Sequence, residues 1–198
     1  MSNMVNLTIN GIAVSVEENK TILEAAKHLH IKIPTLCYHK DLCVAGNCRV
    51  CVVEQVGDHK LVASCATPVA EGMEINTNTL KVRNCRKHII ELLLTEHREE
   101  CTKCYRNGHC ELQALSAEYQ ITNQDFIDLV PDKNYTVDRL SPAIEKDDSK
   151  CIRCQRCVRT CAEIQSVGAI AVAHKGSEMK ISTFFDRSLD EVVCTNCG

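Results

Sequence analysis

Cysteine spacing constrains this chain more than any other feature. There are 15 cysteines among 198 residues, and Cys-x2-Cys recurs in the first, second and third parts of the sequence. An odd count cannot be fully paired internally. Met1-Ser2-Asn3-Met4 lacks the basic start and apolar stretch of a secretory signal, so the expectation is a reducing, cytoplasmic setting. There, dense cysteines serve metal or redox chemistry more often than structural disulfides.

Composition narrows the classes further. A net charge of −3 and a pI near 6.2 give no global basic field for nucleic acid. No apolar run approaches the ~18 residues of a membrane helix. At 44% hydrophobic residues the chain can bury a core, but aromatics make up 4% and Trp is absent. Several small domains on this length would need staples.

The first segment, 1–79, reads as a compact α+β roll. Val5, Leu7 and Ile9 alternate with polar residues, and Asn10-Gly11 leads into Ile12, Val14 and Val16, a strong hairpin signal. Thr21-Ile22-Leu23-Glu24 has capping-box spacing and opens a helix to about His30, with Pro34 beyond it. Strands follow around Val50–Val53 and Leu61–Ala63. The second segment, 80–121, carries a helical run from Lys81 to His97, a cysteine-rich turn and a short helix from Glu111 to Tyr119. Residues 122–148, rich in Asp, Asn, Lys and Pro, read as a linker or wrapping segment. The third segment, 149–198, opens with dense cysteines and has a hairpin-like stretch around Ala169–Thr183.

Each segment holds its own constellation. Segment one has Cys37-x10-Cys48-x2-Cys51-x13-Cys65. Four thiolates converging on a 2Fe–2S cluster need a loop that wraps tightly, and Gly46 would let backbone amides approach the inorganic sulfurs. Cys43-x4-Cys48-x2-Cys51 also meets the plant-type spacing, so spacing alone leaves Cys37 and Cys43 as rivals. The bland alternative is a disulfide or free thiols. Segment two has His97-x3-Cys101-x2-Cys104-x5-Cys110, which by spacing alone fits structural zinc as well as an iron–sulfur cluster. His109 and His88 compete with His97 as the fourth ligand. Segment three has Cys151-x2-Cys154-x2-Cys157-x3-Cys161 and then Cys194-x2-Cys197. The first run is that of two-cluster ferredoxins, whose fourth cysteine ligates the other 4Fe–4S cluster. Six of eight ligands are then present, and the other two are expected just past Gly198. One cluster held by Cys151, Cys154, Cys157 and Cys161 is the competing arrangement, with zinc behind it. Cys85 fits no motif and reads as a packing residue.

Six stretches carry a family resemblance. Ile33–His39, Val44–Glu54 and Ser64–Met73 resemble the N-terminal ferredoxin domain of the large iron–sulfur subunit of NADH:ubiquinone oxidoreductase, a domain shared with FeFe-hydrogenases and NAD-dependent formate dehydrogenases. Cys104–Gln113 resembles the His/Cys3 4Fe–4S site of the same families. Cys157–Gln165 and Ser182–Leu189 resemble the catalytic subunit of NAD(P)-linked and electron-bifurcating FeFe-hydrogenases. The resemblance implies an α+β chain with a β-grasp 2Fe–2S domain, a small helical His/Cys3 4Fe–4S domain, and a two-cluster bacterial-ferredoxin-like domain incomplete at its C-terminus. It implies Cys37, Cys48, Cys51 and Cys65 as 2Fe–2S ligands, leaving Cys43 as an extra thiol. It implies His97, Cys101, Cys104 and Cys110 for one 4Fe–4S cluster. Cys151, Cys154, Cys157, Cys161, Cys194 and Cys197 would belong to two further 4Fe–4S clusters.

Such a series suggests a wire that passes single electrons. No acid/base pair, nucleophile elbow or phosphate loop is present, and Gly11, Gly46, Gly57 and Gly72 are too scattered for a dinucleotide fingerprint. NAD(P) and FMN are therefore expected on a flavoprotein partner; the resemblance implies, beside it, a small thioredoxin-like 2Fe–2S subunit and soluble ferredoxin in a hetero-oligomer. The resemblance places an H-cluster downstream. A formate dehydrogenase, or a stand-alone iron–sulfur adaptor or transhydrogenase subunit, is the alternative, and a zinc-stabilised interaction protein is a third reading.

Overall fold

The structure is a computed structural model and describes residues 3–58, 60–97, 100–122, 126 and 135–198. These divide into two compact units. One comprises residues up to Tyr38, Val44–Ile90 and Glu111–Ile121, and the other His39–Cys43, Glu91–Cys110 and 122–198.

The first unit is built on a mixed sheet. Strands β1 (Met4–Ile9) and β2 (Ile12–Glu17) form the expected hairpin, with Ile9 opposite Ile12. Asn10 and Gly11 both have positive φ, 53° and 80°, the backbone that a two-residue type I′ turn requires. With β3 (Val52–Gln55), β4 (Lys60–Ala63) and β5 (Glu74–Asn76), the sheet runs β2-β1-β5-β3-β4, and only β1 and β5 are parallel.

Helix α1 (Ile22–His28) starts at the predicted capping box. Thr21 accepts from the Glu24 amide, and the Glu24 carboxylate accepts from the Thr21 amide. The helix ends two residues earlier than its apolar pattern suggests. His30 takes φ 56°, the His30 amide donates to Lys27 and the Ile31 amide reaches back to Ala26, a left-handed C-terminal closure. Ile22, Leu23, Ala25 and Ala26 join Val5, Leu7, Ile9, Val53 and Ile75 in one apolar core, and Cys51 and Cys65 are members of it. Amides of Ile22 and Leu23, orphaned at the helix start, donate to the carbonyls of Thr67 and Ser64.

Helix α2 (Leu80–Thr95) is capped by the Thr79 hydroxyl, which accepts from the Val82 amide. Val82, Arg86, Ile90 and Leu94, spaced by four, are its buried stripe. Helix α3 (Glu111–Glu118) buries Leu112 and Leu115.

The second unit has little apolar core. Leu42, Leu94, Ala169, Ile181 and Leu189 are its buried hydrophobic side chains among the described residues. Two short ladders organise it, β6 (Val137–Asp138) with β7 (Lys146–Asp147) and β8 (Ala171–Ala173) with β9 (Lys180–Ser182). Helix α4 (Arg156–Arg159) runs into a wider helical turn over Thr160–Ile164.

The stretch 122–148 reads as a linker by composition. Residues 123–125 and 127–134 lie outside the described set, but 135–148 form the β6–β7 ladder. The Asp138 carboxylate accepts from the Leu189 amide at 2.7 Å, and the Ser141 hydroxyl donates to Asn196 at 2.7 Å. Polarity signals exposure in a sequence; here the polar groups cross-link the unit instead.

Candidate iron–sulfur centres

In the first unit, four thiols meet. Cys37, Cys51 and Cys65 are each 1% exposed. The Cys37 amide donates to the Cys48 sulfur at 3.4 Å, and the sulfurs of Cys51 and Cys65 are 3.3 Å apart. The backbone wraps through left-handed φ at Gly46 (60°) and Arg49 (59°), a conformation cheap for glycine. The two peptides that follow Cys51 are fixed. Its own carbonyl accepts from the Ser64 amide and hydroxyl, at 3.2 and 2.8 Å, and the Val52 carbonyl accepts from Arg86.

Crowding splits the thiols electrostatically. Bonds from Cys48 and Cys65 pull Cys37 down to about 2, and a bond from Cys65 pulls Cys51 to about 6. Cys48 and Cys65, the donors, are pushed up. Thiolate is the form that binds metal, and this split makes Cys37 and Cys51 the easier of the four to deprotonate. All 15 cysteines are free of disulfides.

Cys43, the rival by spacing, belongs to the other unit. It is exposed, its amide and thiol both bonded to the Glu163 carboxylate at 2.8 and 2.6 Å, and its carbonyl accepts from Arg159 at 2.6 Å. Glu163 holds the Cys43 thiol up. Nothing in the spacing pointed to this pairing, which spans 120 positions.

In the second unit, Cys101 opens a helical turn closed by the Cys104 amide on the Cys101 carbonyl. Cys101, Cys104 and Cys110 are half-buried, whereas His109 is exposed. His88 is exposed on α2 within the first unit. His97 is half-buried, and its Nδ1 lies 3.3 Å from the Cys151 carbonyl. A carbonyl only accepts, so in this contact Nδ1 is the donor and Nε2 is the ring nitrogen left for a metal. Ligating histidines are held in this way by their other ring nitrogen.

The third constellation repeats itself. In Cys151-Ile152-Arg153-Cys154, Arg153 has φ 56° and its amide donates to the Cys151 sulfur at 3.4 Å. In Cys194-Thr195-Asn196-Cys197, Asn196 has φ 52° and its amide donates to the Cys194 sulfur at 3.5 Å. Gln155 is also left-handed, φ 57°. The Ala169 amide reaches the Cys161 sulfur at 3.2 Å, and the Arg156 guanidinium reaches that of Cys154 at 3.4 Å. Donors to cluster sulfurs raise reduction potential. Burial pushes the Cys151 thiol up. Among the described residues, no three His, Cys, Asp or Glu side chains form a set that could hold a single metal ion.

The thiols gathered in the first unit, and the amides aimed at the sulfurs of Cys151, Cys161 and Cys194, are of the kind that suit iron–sulfur clusters. Cys85 is half-buried on α2.

Comparison with known proteins agrees along the length of the chain. Residues 2–80 match a 2Fe-2S iron-sulfur cluster binding domain. Residues 86–125 match the NADH-ubiquinone oxidoreductase-G iron-sulfur binding region, and 141–197 the ferredoxin-like domain of NADH-quinone oxidoreductase subunit 3. The chain is 41% identical over 99% of its length to the NADP-reducing hydrogenase subunit HndD of Solidesulfovibrio fructosivorans, covering 34% of that protein. It is 37% identical over 98% of its length to the NADH-ubiquinone oxidoreductase 75 kDa subunit of Reclinomonas americana, covering 28%. It therefore spans about a third or less of these relatives. Among solved structures, an NAD+-reducing [NiFe]-hydrogenase in the H2-reduced state matches with a TM-score of 0.81 and 28% identity, over 90% of this chain and 74% of that one. Three iron–sulfur domain models, two of them drawn from NADH-quinone oxidoreductase subunits, thus match successive stretches of the chain, and the same stretches are similar to part of an NADP-reducing hydrogenase subunit.

Proposed function

We propose that these domains relay single electrons between a flavoprotein that handles NAD(P)H and an FeFe-hydrogenase active-site domain further along the same polypeptide. The carrying observation is the ordered series of donor sets, beginning with the buried meeting of Cys37, Cys48, Cys51 and Cys65. Bound clusters supply one-electron carriers; the chain's residues hold them, exclude water and set their potentials. In this reading the first unit is a β-grasp domain around one 2Fe–2S cluster. His97, Cys101, Cys104 and Cys110 hold one 4Fe–4S cluster. Cys151, Cys154 and Cys157 serve a second, and Cys161, Cys194 and Cys197 a third.

The hydrogenase assignment is supported by the 41% identity to a subunit of an NADP-reducing hydrogenase. The partners that fit are a flavoprotein carrying FMN and NAD(P), a small thioredoxin-like 2Fe–2S subunit and soluble ferredoxin, in a cytoplasmic hetero-oligomer that can bifurcate electrons. Among the described residues, no helix is long and apolar enough to cross a membrane.

Anaerobic iron and sulfide analysis with electron paramagnetic resonance tests the wire. Iron well above zinc, with distinct 2Fe–2S and 4Fe–4S signals, supports it; zinc in excess of iron overturns it. Hydrogen evolution by the native complex tests the destination. Molybdopterin in that complex would give formate dehydrogenase instead, and a native subunit near 22 kDa an adaptor without its own catalytic site.

A further inference from the structure

Arg86 is a buried cation that no ion pair reaches among the described residues, although the carboxylates of Glu54 and Glu91 are buried too. It is 3% exposed, yet its contacts are neutral. Nε and Nη2 donate to the Val52 carbonyl at 3.1 and 2.6 Å, and Nη1 to the Tyr119 hydroxyl at 3.3 Å. Among the described residues, no carboxylate pairs with it. Glu54, 8% exposed on β3 two residues beyond Val52, is committed to the Thr79 hydroxyl at 2.7 Å and to Lys81 at 3.7 Å. A guanidinium does not lose its proton, and an uncompensated buried charge is strongly unfavourable.

The carbonyl that it clasps belongs to the residue after Cys51. Four thiolates around an iron–sulfur core are anionic, and one-electron reduction adds a further negative charge to a dry site. A fixed cation there favours the reduced state.

We propose that Arg86 is the built-in counter-charge of the centre held by Cys37, Cys48, Cys51 and Cys65, and that it raises the potential of that centre. The proposal rests on the 2Fe–2S reading above. Arg86 acts through position and charge, with three of its five N–H groups bonded to Val52 and Tyr119. It lies on α2, in the sequence between the first two ligand sets, so one helix carries both a packing stripe and the charge that tunes a neighbour.

The test is a potentiometric titration of the 2Fe–2S resonance in the full chain, loaded anaerobically. Arg86→Lys keeps the charge and is expected to hold the wild-type midpoint. Arg86→Gln keeps a donor for Val52 but loses the charge, and its reduction equilibrium is expected to fall by about tenfold, 59 mV for a one-electron couple. Tyr119→Glu leaves Arg86 in place and offsets it, so its midpoint is expected below that of the neutral control Tyr119→Gln. An Arg86→Gln midpoint equal to wild type overturns the proposal, as does an Arg86→Lys midpoint as low as that of Arg86→Gln. If Arg86→Gln loads no cluster, the tyrosine pair decides, and equal midpoints overturn the proposal. A wild-type chain that binds iron without a 2Fe–2S resonance removes the underlying reading, and the proposal with it.

Discussion

Cys43 donates its thiol proton to Glu163, Sγ to Oε1 at 2.6 Å, while the Cys43 amide is bonded to the other carboxylate oxygen. A sulfur engaged in this way is exposed and committed to a carboxylate, whereas Cys37, Cys51 and Cys65 are buried. Cys43→Ala is therefore expected to retain the 2Fe–2S absorbance and resonance. Cys37→Ala is expected to abolish the signal. Absorbance of the two purified variants checks this; loss of the cluster in Cys43→Ala with retention in Cys37→Ala would reverse the assignment.

His97 offers its Nε2 because the Cys151 carbonyl occupies its other nitrogen. Replacing a neutral imidazole by a thiolate adds negative charge to the centre. His97→Cys is expected to keep a 4Fe–4S cluster but to lower its midpoint by on the order of 100 mV, read by redox titration. An unchanged midpoint would remove His97 from the ligand set.

The cap of α1 predicts an acid sensitivity. Burial pushes the Glu24 carboxyl up, but bonds from the Thr21 amide and hydroxyl, with Lys20 and Lys27 nearby, leave it below its ordinary 4.5. The stabilisation is present above that ordinary value and fades as pH falls through the lower folded-state one. Glu24→Gln is expected to flatten the loss of stability on acidification from about pH 7 to about pH 3. Thr21→Ala, which removes the reciprocal bond, should cost about 1 kcal/mol at neutral pH. Thermal melts across pH would show both effects, and parallel acid profiles for wild type and Glu24→Gln would discount the cap.

The local devices were legible because single residues encode them. Asn10-Gly11 permits little besides a tight hairpin turn, and Thr21 with Glu24 names a helix start. The cysteine runs gave the donor sets because thiolates are almost the only side chains that hold such clusters. What spacing could not supply was long-range pairing. Cys43 and Glu163 are 120 positions apart, and no periodicity joins them. Arg86 read as one more charge on an amphipathic helix; only burial set it apart. The polar stretch before residue 149 read as linker because Asp138 and Ser141 look solvated until their partners, Leu189 and Asn196, are known.

Cys51 and Cys65 sit in the apolar core of the first unit, among the same side chains that seat α1 on the sheet. Damage at that centre is thus damage to the interior. A chain stripped of its iron by oxidation, with reactive thiols in place of a filled centre, exposes loops that a protease can cut.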